Sequence, residues 1–148
     1  MKFIKYSYLK DHKLLIKVCK GEVVRRELIS EFQQAFANIN SDQPICILLD
    51  ARKVKIKASV DESKLYTNFF LNKNIYKTVD QVAVVTDTPD QVVQTMMFIE
   101  GVKHLNKSIK IFSSTDSAIN WLNTKASKET IKKTLDSLNQ INQHKKAS

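Results

Sequence analysis

The chain has 148 residues, of which 43% are hydrophobic and 26% charged, the proportions of one globular domain with its own core and not of a disordered chain. No apolar run approaches the ~20 residues that span a bilayer. The opening Met1-Lys2-Phe3-Ile4-Lys5-Tyr6 alternates charged and apolar residues where a secretory signal needs a continuous apolar stretch, so a cytoplasmic location and no transmembrane segment are expected. The formal net charge is +9, which permits nucleic-acid or anionic-surface binding. The lysines are spread over nearly every element, however, with denser patches at Arg52–Lys57 and in the tail. A solvated basic surface is therefore expected, and nucleic acid is not an expected partner.

In chain order, Lys2–Leu9 reads as a strand and Asp11-His12-Lys13 as a polar turn. Leu14, Ile16 and Val18 alternate with Leu15, Lys17 and Cys19 in a second strand that ends at Gly21, making an antiparallel hairpin with one partly charged face, as at a sheet edge. From Glu22 the period becomes helical, with Val24, Leu28, Phe32, Ala35, Phe36 and Ile39 on one stripe and Arg25 and Arg26 mainly off it. Ile45–Leu49 is a continuous apolar run, read as a central strand buried on both faces. Asp50 falls just past its carboxyl end, and Ala51–Lys57 reads as a basic loop.

Ser59-Val60-Asp61-Glu62 carries a capping-box signature, with Leu65, Phe69 and Phe70 as the apolar side of the helix that follows. Val82–Val85 is another buried strand. Thr88-Pro89-Asp90 then starts a helix by its cap, its first-turn proline and its acid. Val92, Val93, Met96, Met97, Ile99 and Val102 spread over a wide arc of that helix. Ser108–Phe112 is the last strand, and Ser114-Thr115-Asp116 starts a helix with Ala118, Ile119 and Leu122 buried. Asn123–Ser127 reads as a linker to a final helix striped by Ile131, Leu135, Leu138 and Ile141, which is expected to pack on its own domain or to pair with a second chain. The domain is placed at residues 1–124, and the C-terminal helix with its polar tail at 125–148.

Strands alternating with helices imply an α/β fold with a mixed, mostly parallel five-stranded sheet, an antiparallel edge hairpin and flanking helices. Only two glycines are present, too few for a loop whose backbone amides cradle a phosphate. The strand pair ending in Gly21-Glu22-Val23, the run Ile47-Leu48-Leu49-Asp50, and the late Ile111-Phe112, Ala118 and Trp121-Leu122 resemble the SpoIIAA-like proteins of the STAS/SEC14 fold group. The resemblance spans roughly Phe3 to Leu122. It implies a mixed sheet flanked by helices, used for protein interaction in STAS anti-sigma-factor antagonists and for lipid binding in SEC14-type relatives. In the antagonists a phosphorylatable serine follows the Asp-ending central strand. Ser59 stands at that place here, but with Lys53–Lys57 where those proteins carry an Asp-Ser-Ser-Gly type of sequence.

Two groups of residues are candidates for function. Asp50, Arg52, Ser59, Asp87 and Thr88 lie beyond strand ends or at helix starts, the rim where open α/β sheets bind ligands or partners. A phosphate on Ser59 would sit at a helix N-terminus beside Lys55 and Lys57. Tyr66, Phe69, Phe70, Met96 and Met97 offer an apolar cavity or an interface. Cys19 and Cys46 lie in apolar runs and read as free, buried thiols. His12, His104 and His144 stand apart, so neither a metal site nor a general base is assembled, and no cofactor is expected. The expectation is a non-enzymatic STAS-like binding or regulatory module acting through a protein partner or self-association. The alternative is a carrier of a small apolar or lipid-like ligand.

Overall fold

A computed structural model describes residues 2–39, 43–57, 68–69, 77–103 and 108–147, with the backbone alone for 141–147. Its order is β1 (Phe3–Leu9), β2 (Leu14–Val24), α1 (Arg25–Ala37), β3 (Ile45–Lys57), β4 (Val79–Val85), α2 (Pro89–Val102), β5 (Ser108–Phe112), α3 (Thr115–Trp121) and α4 (Lys128–Ala147). The five strands form one sheet in the spatial order β1-β2-β3-β4-β5. β1 runs antiparallel to β2, and every later pair is parallel. The hairpin closes through a 3-10 turn at Lys10–His12, with Lys13 left-handed at φ 50°. The mixed α/β sheet is the one expected from the element order. The helix expected after Ser59 falls largely outside the described residues, of which Asn68 and Phe69 are helical and Phe69 is buried.

Three boundaries differ from the sequence reading, and for one shared reason. Gly21 does not end β2, which runs on to Val24. β3 does not stop at Leu49 but continues through the basic segment to Lys57. α1 accordingly begins at Arg25, not at Glu22. The two extensions pair with each other, Gly21 opposite Val54 and Val23 opposite Ile56. Val54 and Ile56 alternate with Lys53, Lys55 and Lys57, so one face of the extension is apolar and the other charged. The ladder needs an irregularity to continue, and two residues of β3, Ala51 and Arg52, stand opposite Cys19 alone. Gly21 takes φ 81° next to this bulge, a conformation that costs a residue with a Cβ.

β2 is the inner strand of the antiparallel edge hairpin, and both of its faces are covered. Leu15, Cys19 and Val23 share one core with Leu28, Phe32 and Ala35 of α1 and Val102 of α2. Leu14, Ile16 and Val18 share the other with Ala118, Ile119 and Leu122 of α3 and Ile131, Leu135 and Leu138 of α4. The sheet is thus sandwiched between an α1–α2 layer and an α3–α4 layer. Ile131, Leu135 and Leu138 of the α4 stripe are buried against the second face of the sheet in the same chain.

Candidate functional site

The predicted rim residues come together only in part. Asp50 lies inside β3, opposite Val18 and Val85, rather than past a strand end. Its carboxylate accepts from Arg52 Nε at 2.9 Å and from Nη2 at 2.8 Å, and also from the Arg52 backbone N–H at 3.2 Å. This bidentate pair, local to the bulge, raises the Arg52 guanidinium above its ordinary pKa, and the charge of Asp87 adds to the effect. Thr88 caps α2 by accepting from the Gln91 N–H. Ser59 lies outside the described residues.

β4 ends at Val85, leaving the carbonyls of the β3 extension without a neighbouring strand. Gln91 takes that place. Its side-chain amide donates to the carbonyls of Arg52 at 3.0 Å and Val54 at 2.9 Å, and its oxygen accepts from the N–H groups of Asp87 and Thr88. One buried side chain therefore ties the start of α2 to the bulged strand. Sequence reading passed over it because a glutamine three residues after a threonine looks like half of a capping box, which it also is.

Between the α1–α2 layer and the sheet lies a cavity of about 90 Å3. Its floor includes Ile47, Leu49 and Ala51 of β3 with Val82 and Val84 of β4. Leu28, Phe32 and Phe36 of α1 close one side, and Phe98 of α2 and Phe69 another. The polar side chains on its wall are Cys19, Arg25, Gln91, Gln94 and Thr95. Apart from Cys19 these belong to the first turn of α1 and the first two turns of α2, both of which follow the carboxyl ends of their strands. The cavity wall is mainly apolar, with a few polar side chains contributed by the starts of these two helices. Of the aromatic and methionine candidates among the described residues, Phe69 lines it. Met96 is exposed and, like Met97, is not part of the wall. Tyr66 and Phe70 lie outside the described residues.

Among the described residues, two cations are buried on this face. Arg25, expected off the apolar stripe, is 3% exposed, and its Nη2 donates to Gln94 Oε1 at 2.6 Å. Lys17 is fully buried, and its Nζ has no hydrogen-bond partner among the described residues. The ammonium instead stands 3.3 Å from the centroid of the Phe32 ring, a cation–π contact on a residue of the cavity wall. Burial lowers the Lys17 pKa to about 8 against the opposing pull of Cys19 and Glu31, and it pushes the Cys19 thiol up to about 11. Lys17 could have been singled out from sequence by its place between Ile16 and Val18 in a strand that was otherwise apolar on both faces. Arg25 gives no such signal, because the first turn of a helix ordinarily faces solvent.

Cys46 is also buried and free, at the opposite end of the sheet, where Gln81 accepts a hydrogen bond from the Asn123 backbone N–H. No helix among the described residues is long and apolar enough to cross a membrane.

A crystal structure of an uncharacterized protein of the DUF3478 family with a SpoIIAA-like fold, from Shewanella loihica PV-4, superposes with a TM-score of 0.56 over 82% of this chain and 95% of that one, at 15% sequence identity. At that identity the likeness concerns the fold. No curated protein matches the sequence. A family model for SpoIIAA-like proteins matches residues 16–123. That match runs from the third residue of β2 to just past α3, through four of the five strands, both cavity helices and the bulge, and the chain belongs to the SpoIIAA-like family.

Proposed function

We propose that the protein is a non-enzymatic binding module whose ligand is a small apolar molecule held between the sheet and the α1–α2 layer. The cavity carries this reading. It has apolar walls with a few polar groups, the usual composition of a small-molecule site. It also lies below the carboxyl ends of the strands, where open α/β sheets take their ligands. The rim reading is supported less well, since Asp50 and Arg52 are engaged with each other and Thr88 and Gln91 with helix and strand backbone.

A volume of about 90 Å3 sets the scale of the occupant. An apolar cavity of ~150 Å3 accepts the six carbons of benzene, so this one takes a group of about four carbons. Titration of the 13C-methyl-labelled protein with 1-pentanol tests the reading. Saturable shifts confined to Val82, Val84, Leu28 and Ile109 are expected. Shifts scattered over both faces of the sheet, or none up to the solubility limit, would reject it.

A second reading, a protein-interaction role, draws on one observation. α2 presents Val93 and Met96 to solvent, 52% and 56% exposed, on the side away from its cavity residues. One helix thus joins the cavity to an outer apolar surface, and a partner docking there would sense occupancy through α2. Pull-down with a Val93→Glu, Met96→Glu variant against the wild type tests it, and equal recovery of every partner would count against this role.

A further inference from the structure

Resting on the small-molecule reading, we propose that Lys17 is a covalent attachment site beside this cavity, its amine condensing reversibly with a short apolar aldehyde. The argument begins with where Lys17 stands in the sheet. Leu49, its partner across the ladder, and Cys19, the next residue on its face of β2, both line the cavity. So does Val84, the residue beyond Leu49 in the same row. Lys17 thus holds a position on the cavity side of the sheet. Its Nζ stands 3.3 Å from the centroid of the Phe32 ring, which is itself part of the wall.

Lys17 is fully buried, and Nζ makes no hydrogen bond among the described residues. An ammonium is costly there, and a ring face returns only part of the hydration it has lost. A desolvated amine is what an imine-forming lysine requires, because only the neutral form offers a lone pair to a carbonyl. Burial lowers the Lys17 pKa to about 8, so at pH 8 about half of it is neutral, against about one in 300 for an ordinary lysine.

In the condensation the Nζ lone pair attacks the carbonyl carbon, and one amine proton passes to the oxygen to give a carbinolamine. The C–O bond then breaks, the hydroxyl leaves as water with the second amine proton, and a C=N bond remains. No oxidant or reductant takes part. The product is a neutral imine, so the reaction removes the buried charge, and the surrounding hydrocarbon keeps water from reversing it. Lys17 is not itself a lining residue, and the Phe32 ring must turn aside for the carbonyl to reach Nζ. The volume of about 90 Å3 limits the tail of the aldehyde to about four carbons, which makes pentanal the matching probe.

The experiment treats the full wild-type chain at pH 8 with limiting pentanal and cyanoborohydride, which reduces each imine to a stable secondary amine. Peptide mass spectrometry then ranks the lysines by rate of labelling. Lys17 is expected to be labelled at least tenfold faster than any surface lysine. Saturating 1-pentanol should slow Lys17 at least tenfold and leave the surface lysines unchanged, because alcohol and aldehyde compete for one volume. Labelling of Lys17 no faster than that of the surface lysines overturns the attachment site and leaves the cavity reading standing. So does a Lys17 rate that 1-pentanol does not alter although methyl shifts show it bound. An absence of 1-pentanol binding overturns both.

Discussion

On the α3–α4 side of the sheet, Leu14, Ile16, Val18, Leu48, Ala83 and Val85 meet Ala118, Ile119, Ile131, Leu135 and Leu138, all of them buried and all apolar. On the α1–α2 side, Cys19, Ile47, Leu49, Val82 and Val84, neighbours of these residues in the same strands, line a cavity and share their layer with Lys17 and Arg25. Alternation along a strand makes this possible, because neighbouring residues answer to different layers. One layer excludes water with hydrocarbon alone. The other holds two charges and empty volume, each of which costs stability unless something else is gained. On the proposed function, the contrast makes the α1–α2 layer the binding side and the α3–α4 layer the side that holds the fold.

The most severe test removes matched volume from each layer. Ile131 is fully buried in α4, and Ile131→Ala should cost about 4 kcal/mol, the upper part of the range for aliphatic truncations into a closed core. Leu28→Ala deletes a residue that already borders empty space and has fewer contacts to lose, so about 2 kcal/mol is expected. Urea unfolding of both variants measures the difference. Equal costs would mean that the two layers are packed alike.

A second effect of similar size concerns Lys17. Its pKa falls from 10.5 to about 8 on folding. Below pH 8 the amine is charged in both states, and the folded chain bears the full cost of burying it. Between pH 8 and 10.5 the unfolded chain binds more protons, so stability rises with pH. The shift corresponds to about 3 kcal/mol. Cys19, raised from 9.0 to about 11, acts oppositely: the folded chain holds the proton longer, and stability falls between pH 9 and 11. In a Cys19→Ala background, Lys17→Met should therefore stabilise the protein at pH 7, and its advantage should shrink by about 3 kcal/mol by pH 10.5. An advantage independent of pH would show that the lysine is not desolvated.

Much of this was legible in the sequence. The order of strands and helices, the antiparallel hairpin, the buried Ile45–Leu48 run and the α2 cap all follow from period and turn chemistry. The β2 and β3 extensions were misread because Lys53, Lys55 and Lys57 weigh more in composition than Val54 and Ile56 do, although their alternation with those two residues is itself a strand pattern. Each extension is stable only as the partner of the other, a non-local fact that neither segment states alone. The aromatic and methionine content of two helices suggests an apolar cavity or an interface; the cavity wall includes Phe32, Phe36, Phe69 and Phe98 and leaves Met96 outside. Helical rotation decides that, and the wide apolar arc of α2 left the rotation undetermined.

Gln91 is where the binding layer and the fold meet. Gln91→Ala would strand two carbonyls and two N–H groups at the bulge, at a cost of about 2 kcal/mol after water reaches some of them. The diagnostic is local: amide exchange at Asp87 and Thr88 should accelerate at least tenfold, while the α3–α4 layer keeps its protection. Uniform acceleration would instead place Gln91 in the global fold and weaken the distinction between the layers.

The finest test uses two adjacent residues of β4. Val84 lines the cavity and Val85 belongs to the closed core, so the same added methylene meets opposite conditions one position apart. Val84→Ile has space to enter and should gain about 0.8 kcal/mol from one buried methylene. Val85→Ile must displace close-packed neighbours and should lose about 1 kcal/mol. Filling the cavity must also weaken 1-pentanol binding, whereas overpacking the other face should leave it unchanged. Stabilisation by Val84→Ile with no loss of 1-pentanol affinity would separate the empty volume from the binding site. If both substitutions destabilise equally, the volume beside Val84 is not available to a ligand either, because a space that rejects one methylene will not admit four.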